Sequence, residues 1–261
     1  MIRQPYPAGP PAKLTNDPND YVGVSLSGDR LLYTSVIGGK PAILRVTPVE
    51  NTPEDVVLEG LAPAATSDGR TIVFVSSTTD DMMDLWTADA SGRRKTRLVA
   101  SVVPGPVAVT PDDRFVLFTS IAGGTVSIWI VAIEGGSPTK LADGVGGAVS
   151  PDGGSIAFTA MLKGVPSLLV CSLPTCSSPR PIGTVKFVET TVSWSPDGRG
   201  VAYAVEGNLW VQPLSGGAPR QLTRFTDGRP IAAFQWSRDG QRLALTRPTV
   251  TNDIVLFESL N

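Results

Sequence analysis

A hydroxyl residue, a short polar turn and an alternating apolar strand recur six times along this 261-residue chain. The phrase reads Ser195-Pro196-Asp197-Gly198 ahead of Val201 to Val205, and Ser150-Pro151-Asp152-Gly153 ahead of Ile156 to Phe158. Looser copies are Thr110-Pro111-Asp112-Asp113, Ser237-Arg238-Asp239-Gly240 and Thr66-Ser67-Asp68-Gly69, and the most degenerate is Ser25-Leu26-Ser27-Gly28. The third turn residue falls at 27, 68, 112, 152, 197 and 239, spacings of 41, 44, 40, 45 and 42. Six residues beyond each marker stands a large apolar residue: Tyr33, Phe74, Phe118, Phe158, Tyr203 and Leu245. A unit of this length is one four-stranded sheet that must stack on its neighbours to bury its faces. The period therefore predicts an all-β, six-bladed β-propeller of four-stranded antiparallel blades. The repeats run over approximately 21–58, 64–99, 107–142, 147–183, 191–223 and 231–258, within a single domain spanning 1–261.

Third strands read Leu85-Trp86-Thr87-Ala88, Ile128-Trp129-Ile130-Val131 and Leu209-Trp210-Val211-Gln212, and fourth strands Arg97-Leu98-Val99, Lys140-Leu141-Ala142 and Gln221-Leu222-Thr223. The last repeat stops after Ile254-Val255-Leu256-Phe257 and lacks a fourth strand. Pro11-Ala12-Lys13-Leu14-Thr15 copies Pro219-Arg220-Gln221-Leu222-Thr223, so residues 11–15 are expected to close the ring by pairing with 254–257. Ile2 and Arg3 then read as a redundant remnant of a third strand, as expected of a piece of something longer.

Composition narrows the function. Net charge is −2, which gives no footprint for nucleic acid. The basic run Arg93-Arg94-Lys95 beside Ser91 and Gly92 has the composition of a solvated hairpin tip. No apolar run reaches the roughly 20 residues that span a bilayer, so no membrane insertion by this chain is expected. The N-terminal residues carry no export signal. Histidine is absent, which removes the commonest general base and metal ligand. No Gly-x-Ser-x-Gly elbow stands in the chain. These absences give the expectation that the chain is no enzyme and needs no cofactor.

The Ser-Pro-Asp-Gly turns read as hairpin chemistry: proline presets φ, aspartate bonds the backbone ahead and glycine takes the left-handed position. Tryptophans 86, 129 and 210 read as packing between blades. Function is expected on the opposite face, where second-to-third and fourth-to-first connections vary in length and content. Asp20, Tyr21, Asp84, Glu189, Arg224 and Arg229 are the candidate contacts there for an unknown protein, peptide or small-molecule ligand at the channel mouth.

The repeats resemble the TolB-like, WD40-like (PD40) propellers of bacteria over nearly the whole chain. Gln4-Pro5-Tyr6-Pro7, Thr15-Asn16-Asp17, Gly23-Val24-Ser25-Leu26, Gln221 to Gly228 and Thr251 to Phe257 carry a closer resemblance to the C-terminal propeller modules of bacterial receptor-type serine/threonine protein kinases. That resemblance implies a binding, sensor or protein-interaction domain, periplasmic or extracellular, monomeric, and part of a longer protein. The kinase motifs themselves are absent.

Cys171 and Cys176 lie across a hairpin in Cys-Ser-Leu-Pro-Thr-Cys. A disulfide is the favoured reading, ahead of two free thiols. Zinc would need two more ligands from a chain with no other Cys and no His. Two other functions stay open. One is a calcium-dependent lactonase-type hydrolase, which would need carboxylates converging on the channel. Asp17, Asp20, Asp80, Asp81, Asp84, Glu189, Asp227 and Asp253 are the acids in suitable loops. The other is the propeller accessory domain of a prolyl-oligopeptidase-like peptidase.

Overall fold

The computed structural model describes residues 2–5, 12–13, 23–27, 30–37, 40–46, 55–79, 82–186, 191–237, 240, 242–247 and 253–258. All regular structure among them is β-strand, in six sheets. The first comprises Gly23–Ser27, Arg30–Ile37, Lys40–Val46 and Asp55–Glu59. The second comprises Leu61–Ala65, Thr71–Thr79, Met82–Asp89 and Thr96–Val102. The third comprises Ala108–Val109, Phe115–Ala122, Thr125–Ala132 and Thr139–Asp143. The fourth comprises Val145–Val149, Ser155–Leu162, Val165–Ser172 and Arg180–Thr184. The fifth comprises Val192–Trp194, Gly200–Val205, Asn208–Pro213 and Arg220–Gln221. In all five the strands lie in chain order and antiparallel.

The sixth sheet joins the two ends of the described chain. Ala233–Trp236, Arg242–Arg247 and Asp253–Glu258 pair in order, and Ala12–Lys13 adds antiparallel, Ala12 opposite Leu256 and Lys13 opposite Val255. Pro11, Leu14 and Thr15 lie outside the described residues. Ile2–Pro5, which includes the Ile2 and Arg3 read from the sequence as a remnant, pairs in parallel with the last strand from Val255 to Glu258. The first strands of successive sheets touch, and Ala233–Trp236 touches Gly23–Ser27.

The core lies between sheets rather than within one. Ile72 and Phe74 pack toward Leu32, Ile43 and Leu58 of the first sheet. Their neighbours Val73 and Val75 pack toward Val116 and Phe118 of the third. Alternate residues of one strand thus serve two interfaces, which is why second strands read as continuous apolar runs. The same alternation joins Ala157 to the fifth sheet and Ile156 with Phe158 to the third. Cross-strand aromatic pairs reinforce these layers: Phe74 opposite Trp86, Phe118 opposite Trp129 and Tyr203 opposite Trp210. The three recurrent tryptophans are therefore packing residues, each seated against an inter-sheet cluster.

The recurrent turns are hydrogen-bonded devices. The hydroxyls of Thr66, Ser150 and Ser195 donate to Asp68, Asp152 and Asp197 at 2.7, 2.5 and 2.6 Å. Each carboxylate also accepts the amide two residues on, and each hydroxyl accepts the amide five residues on. Gly69, Gly153 and Gly198 hold φ of +67°, +75° and +68°. This accounts for the motif without a ligand.

Candidate functional site

Connections on the opposite face vary in length, and several are short. Gly60 and Gly144 alone link the first sheet to the second and the third to the fourth. Gly123–Gly124, Lys163–Gly164 and Glu206–Gly207 are two-residue turns. Longer segments, 185–191 and 222–232, flank the fifth sheet. The second of these is well described and is held by an unusual set of side chains.

Asn208 anchors it. Its Oδ1 accepts from the Phe225 amide at 2.7 Å and the Thr223 hydroxyl at 3.0 Å, and its Nδ2 donates to the Phe225 carbonyl at 3.0 Å. The Thr223 hydroxyl in turn accepts from the Leu209 amide at 2.9 Å. A side chain thus replaces the ladder beyond Arg220–Gln221, and the chain leaves the sheet as a loop. Gly207 lets the hairpin beside it approach, since a Cβ there would stand 2.5 Å from the Arg229 carbonyl oxygen.

Arg247 sits beneath this loop, buried, with its guanidinium carbon 3.7 Å from the Phe225 ring centroid. Its Nη2 donates to Asp227 and lies 3.5 Å from the Arg229 carbonyl oxygen, while its Nε finds no partner. Asp227 also faces the Arg229 guanidinium at 3.3 Å. The Arg247 hydrogen bond is the largest cause holding the Asp227 carboxyl below its ordinary range, against the upward pull of desolvation. Lys186 pairs with Glu206 next to this loop. Arg224 is exposed and Arg229 is half-buried. Together Arg224, Asp227, Arg229 and Arg247 leave an excess of positive charge on one loop, suited to a carboxylate or another anionic group.

Of the residues singled out from the sequence, the structure brings Arg224 and Arg229 into this loop. Asp84 lies elsewhere. It is buried in the second sheet, where its carboxylate accepts from the Ser101 amide at 2.9 Å and faces Arg97 at 3.4 Å. Ser101 holds φ of +58° at a bulge in the outer strand, and Asp84 supports that bulge. Asp20, Tyr21 and Glu189 lie outside the described residues.

Asn208, Phe225, Asp227 and Arg247 were not singled out as contacts. One signal for Arg247 was present. The second residue after each large apolar marker is Ser35, Ser76, Ser120, Ala160, Val205 or Arg247, and only the last is charged. For the calcium reading, no group of three or more His, Cys, Asp or Glu among the described residues is placed to hold a metal ion. Asp84 and Asp227, its two acids with described side chains, are each committed to arginine. The described residues thus offer no calcium ligand set.

The sheets and their contacts define a β-propeller. Its fold is TolB-like: TolB from Acinetobacter baumannii superposes with a TM-score of 0.67 at 20% identity over 94% of this chain. The chain spans 56% of that protein. A putative TolB from Agrobacterium tumefaciens gives 0.62 at 14% identity, over 79% of this chain and 80% of that one. A gluconolactonase from Xanthomonas campestris gives 0.70 at 16% identity, over 94% of this chain and 88% of that one. No family model matches. The expectation that the chain is no enzyme is corrected by the last likeness. The same architecture carries catalysis, so missing sequence motifs and missing histidine do not exclude it.

Proposed function

We propose that the chain is a six-bladed propeller of one domain, closed by residues 11–15, that binds an anionic ligand at the 222–232 loop. The observation that carries the reading is the exposed Arg224 beside the half-buried, Asp227-paired Arg229, on a loop pinned from below by Arg247 and Asn208. A pinned loop loses little conformational entropy on binding, and arginine forks match carboxylates two bonds at a time. The antiparallel pairing of Ala12 and Lys13 with the last strand supports the closure.

The setting proposed is extracytoplasmic, as a module of a longer TolB-like or receptor-kinase-like protein. The bond between Cys171 and Cys176 supports it, because disulfides persist in oxidising compartments. Calorimetric titration with small carboxylated sugars tests the ligand class. Arg224→Ala with Arg229→Ala should abolish the heat of binding while leaving the melting temperature in place. Equal binding by the double variant would refute the site.

A second reading, a lactonase-type hydrolase, draws on the gluconolactonase likeness. Proton release from gluconolactone, followed with and without added calcium, decides it. Turnover above the spontaneous rate that is lost in the double arginine variant would place catalysis at this loop.

A further inference from the structure

Among the described residues the exposed large hydrophobics are Ile121, Met161, Leu162 and Val165, at 55%, 56%, 38% and 48% exposure. All four lie at two hairpin tips, the second-to-third turns of the adjacent third and fourth sheets. The turns read Ile121-Ala122-Gly123-Gly124-Thr125-Val126 and Met161-Leu162-Lys163-Gly164-Val165-Pro166. A Cβ built on Gly123, Gly124 or Gly164 meets nothing within 4 Å, so both tips stand clear of the molecule. Neither tip carries a carboxylate, and the only charge is Lys163 at the apex of the second. The corresponding turns on either side carry Asp80 with Asp81, and Glu206.

Large apolar side chains grouped at protruding turns gain nothing from the fold and suit cover by a partner phase. A stable protein interface takes roughly 20–30 residues a side, and four side chains on two separate points are too few. A fluid apolar phase asks for no matching surface. Shallow burial of Ile, Met, Leu and Val, with the Lys163 ammonium reaching back to phosphate, fits a bilayer with anionic headgroups. We infer that the Ile121 and Met161–Val165 tips dock this face, peripherally, on an anionic lipid surface. No helix among the described residues is long and apolar enough to cross a membrane. The inference is independent of the ligand proposed above, although docking would turn the 222–232 loop, which lies on the same face, toward the lipid.

Co-sedimentation of the full chain with extruded vesicles tests it, using phosphatidylcholine alone and an equimolar mixture with phosphatidylglycerol. The chain should pellet with the mixed vesicles. Lys163→Glu, which reverses one charge, should weaken that partition by about tenfold. The combined Ile121→Ser, Met161→Ser, Leu162→Ser and Val165→Ser variant should stay in the supernatant with an unchanged melting temperature. Leu162→Trp should give a blue-shifted emission on the mixed vesicles. No pelleting by the parent chain overturns the inference, and so does a serine variant that pellets as the parent does. A concentration-dependent dimer in light scattering that the serine substitutions dissolve also overturns it, because a second copy then covers the tips.

Discussion

Pro196 of one recurrent turn lies against Gly240 of the next so closely that a Cβ on Gly240 would stand 2.5 Å from the proline Cβ. The neighbouring contacts are looser: a Cβ on Gly153 would meet Pro111 at 3.7 Å, and one on Gly198 would meet Pro151 at 4.0 Å. Between the second and third sheets the contact is polar, with the Ser67 amide donating to Asp113 at 2.7 Å. These turns thus link one sheet to the next as well as closing their own hairpins.

The first prediction follows from that spacing. Gly240→Ala adds a clash to a left-handed residue at φ +70°, and should cost about 2–4 kcal/mol in urea unfolding. Gly153→Ala has φ of +75° but open space, and should cost about 1 kcal/mol. Equal losses would show that backbone conformation, and not the proline, decides the effect.

Asp84→Ala should destabilise by about 1–3 kcal/mol, because the Ser101 amide loses its buried acceptor. Asp84→Asn keeps an acceptor oxygen and should lose less. Neither should alter ligand binding. A weakened titration with unchanged stability would return Asp84 to the binding site.

Acid should unfold the protein through its turns. Thr110 and Ser150 hydroxyls are the largest cause lowering Asp112 and Asp152. At Asp68 the Arg70 amide comes first and the Thr66 hydroxyl second. At Asp197 desolvation, the largest single effect, pulls upward, but the Ser195 hydroxyl, the Arg199 amide and charge and its own amide together outweigh it. Folded values below the ordinary 3.8 mean that this stability is present above the unfolded value and is lost as pH falls through the folded ones. Urea midpoints should be flat at neutral pH and drop below about pH 4. Asp152→Asn with Asp197→Asn should flatten that drop. An unaltered acid limb in the double variant would assign it to other groups.

The hairpin bond between Cys171 and Cys176, with Cα atoms 5.0 Å apart, should leave no titratable thiol under denaturing, non-reducing conditions. Reduction should lower stability by about 2 kcal/mol, the loop-closure value for so short a ring. Two reactive thiols in protein purified from an oxidising compartment would contradict the bond and weaken the proposed location.

Repeat period, strand order and turn chemistry were legible in the sequence because each is local or periodic. Six spaced markers specify six sheets, and Ser-Pro-Asp-Gly carries its own hydrogen bonds within a few residues. The packing role of the tryptophans was legible because they recur at one strand position. The sequence therefore determined the class of fold, the face of each strand and the structural role of its most motif-like residues. Only the tertiary structure separated Asp84 from Arg229. Both are charged residues near loop ends, but Asp84 supports a bulge in its own sheet while Arg229 faces Asp227 within the connection between two sheets. It likewise joined Arg247 to Asp227 and Phe225, and Asn208 to Phe225 across 17 residues. Contacts between one repeat's strand and the next repeat's loop depend on how sheets stack, and no spacing within a repeat encodes that.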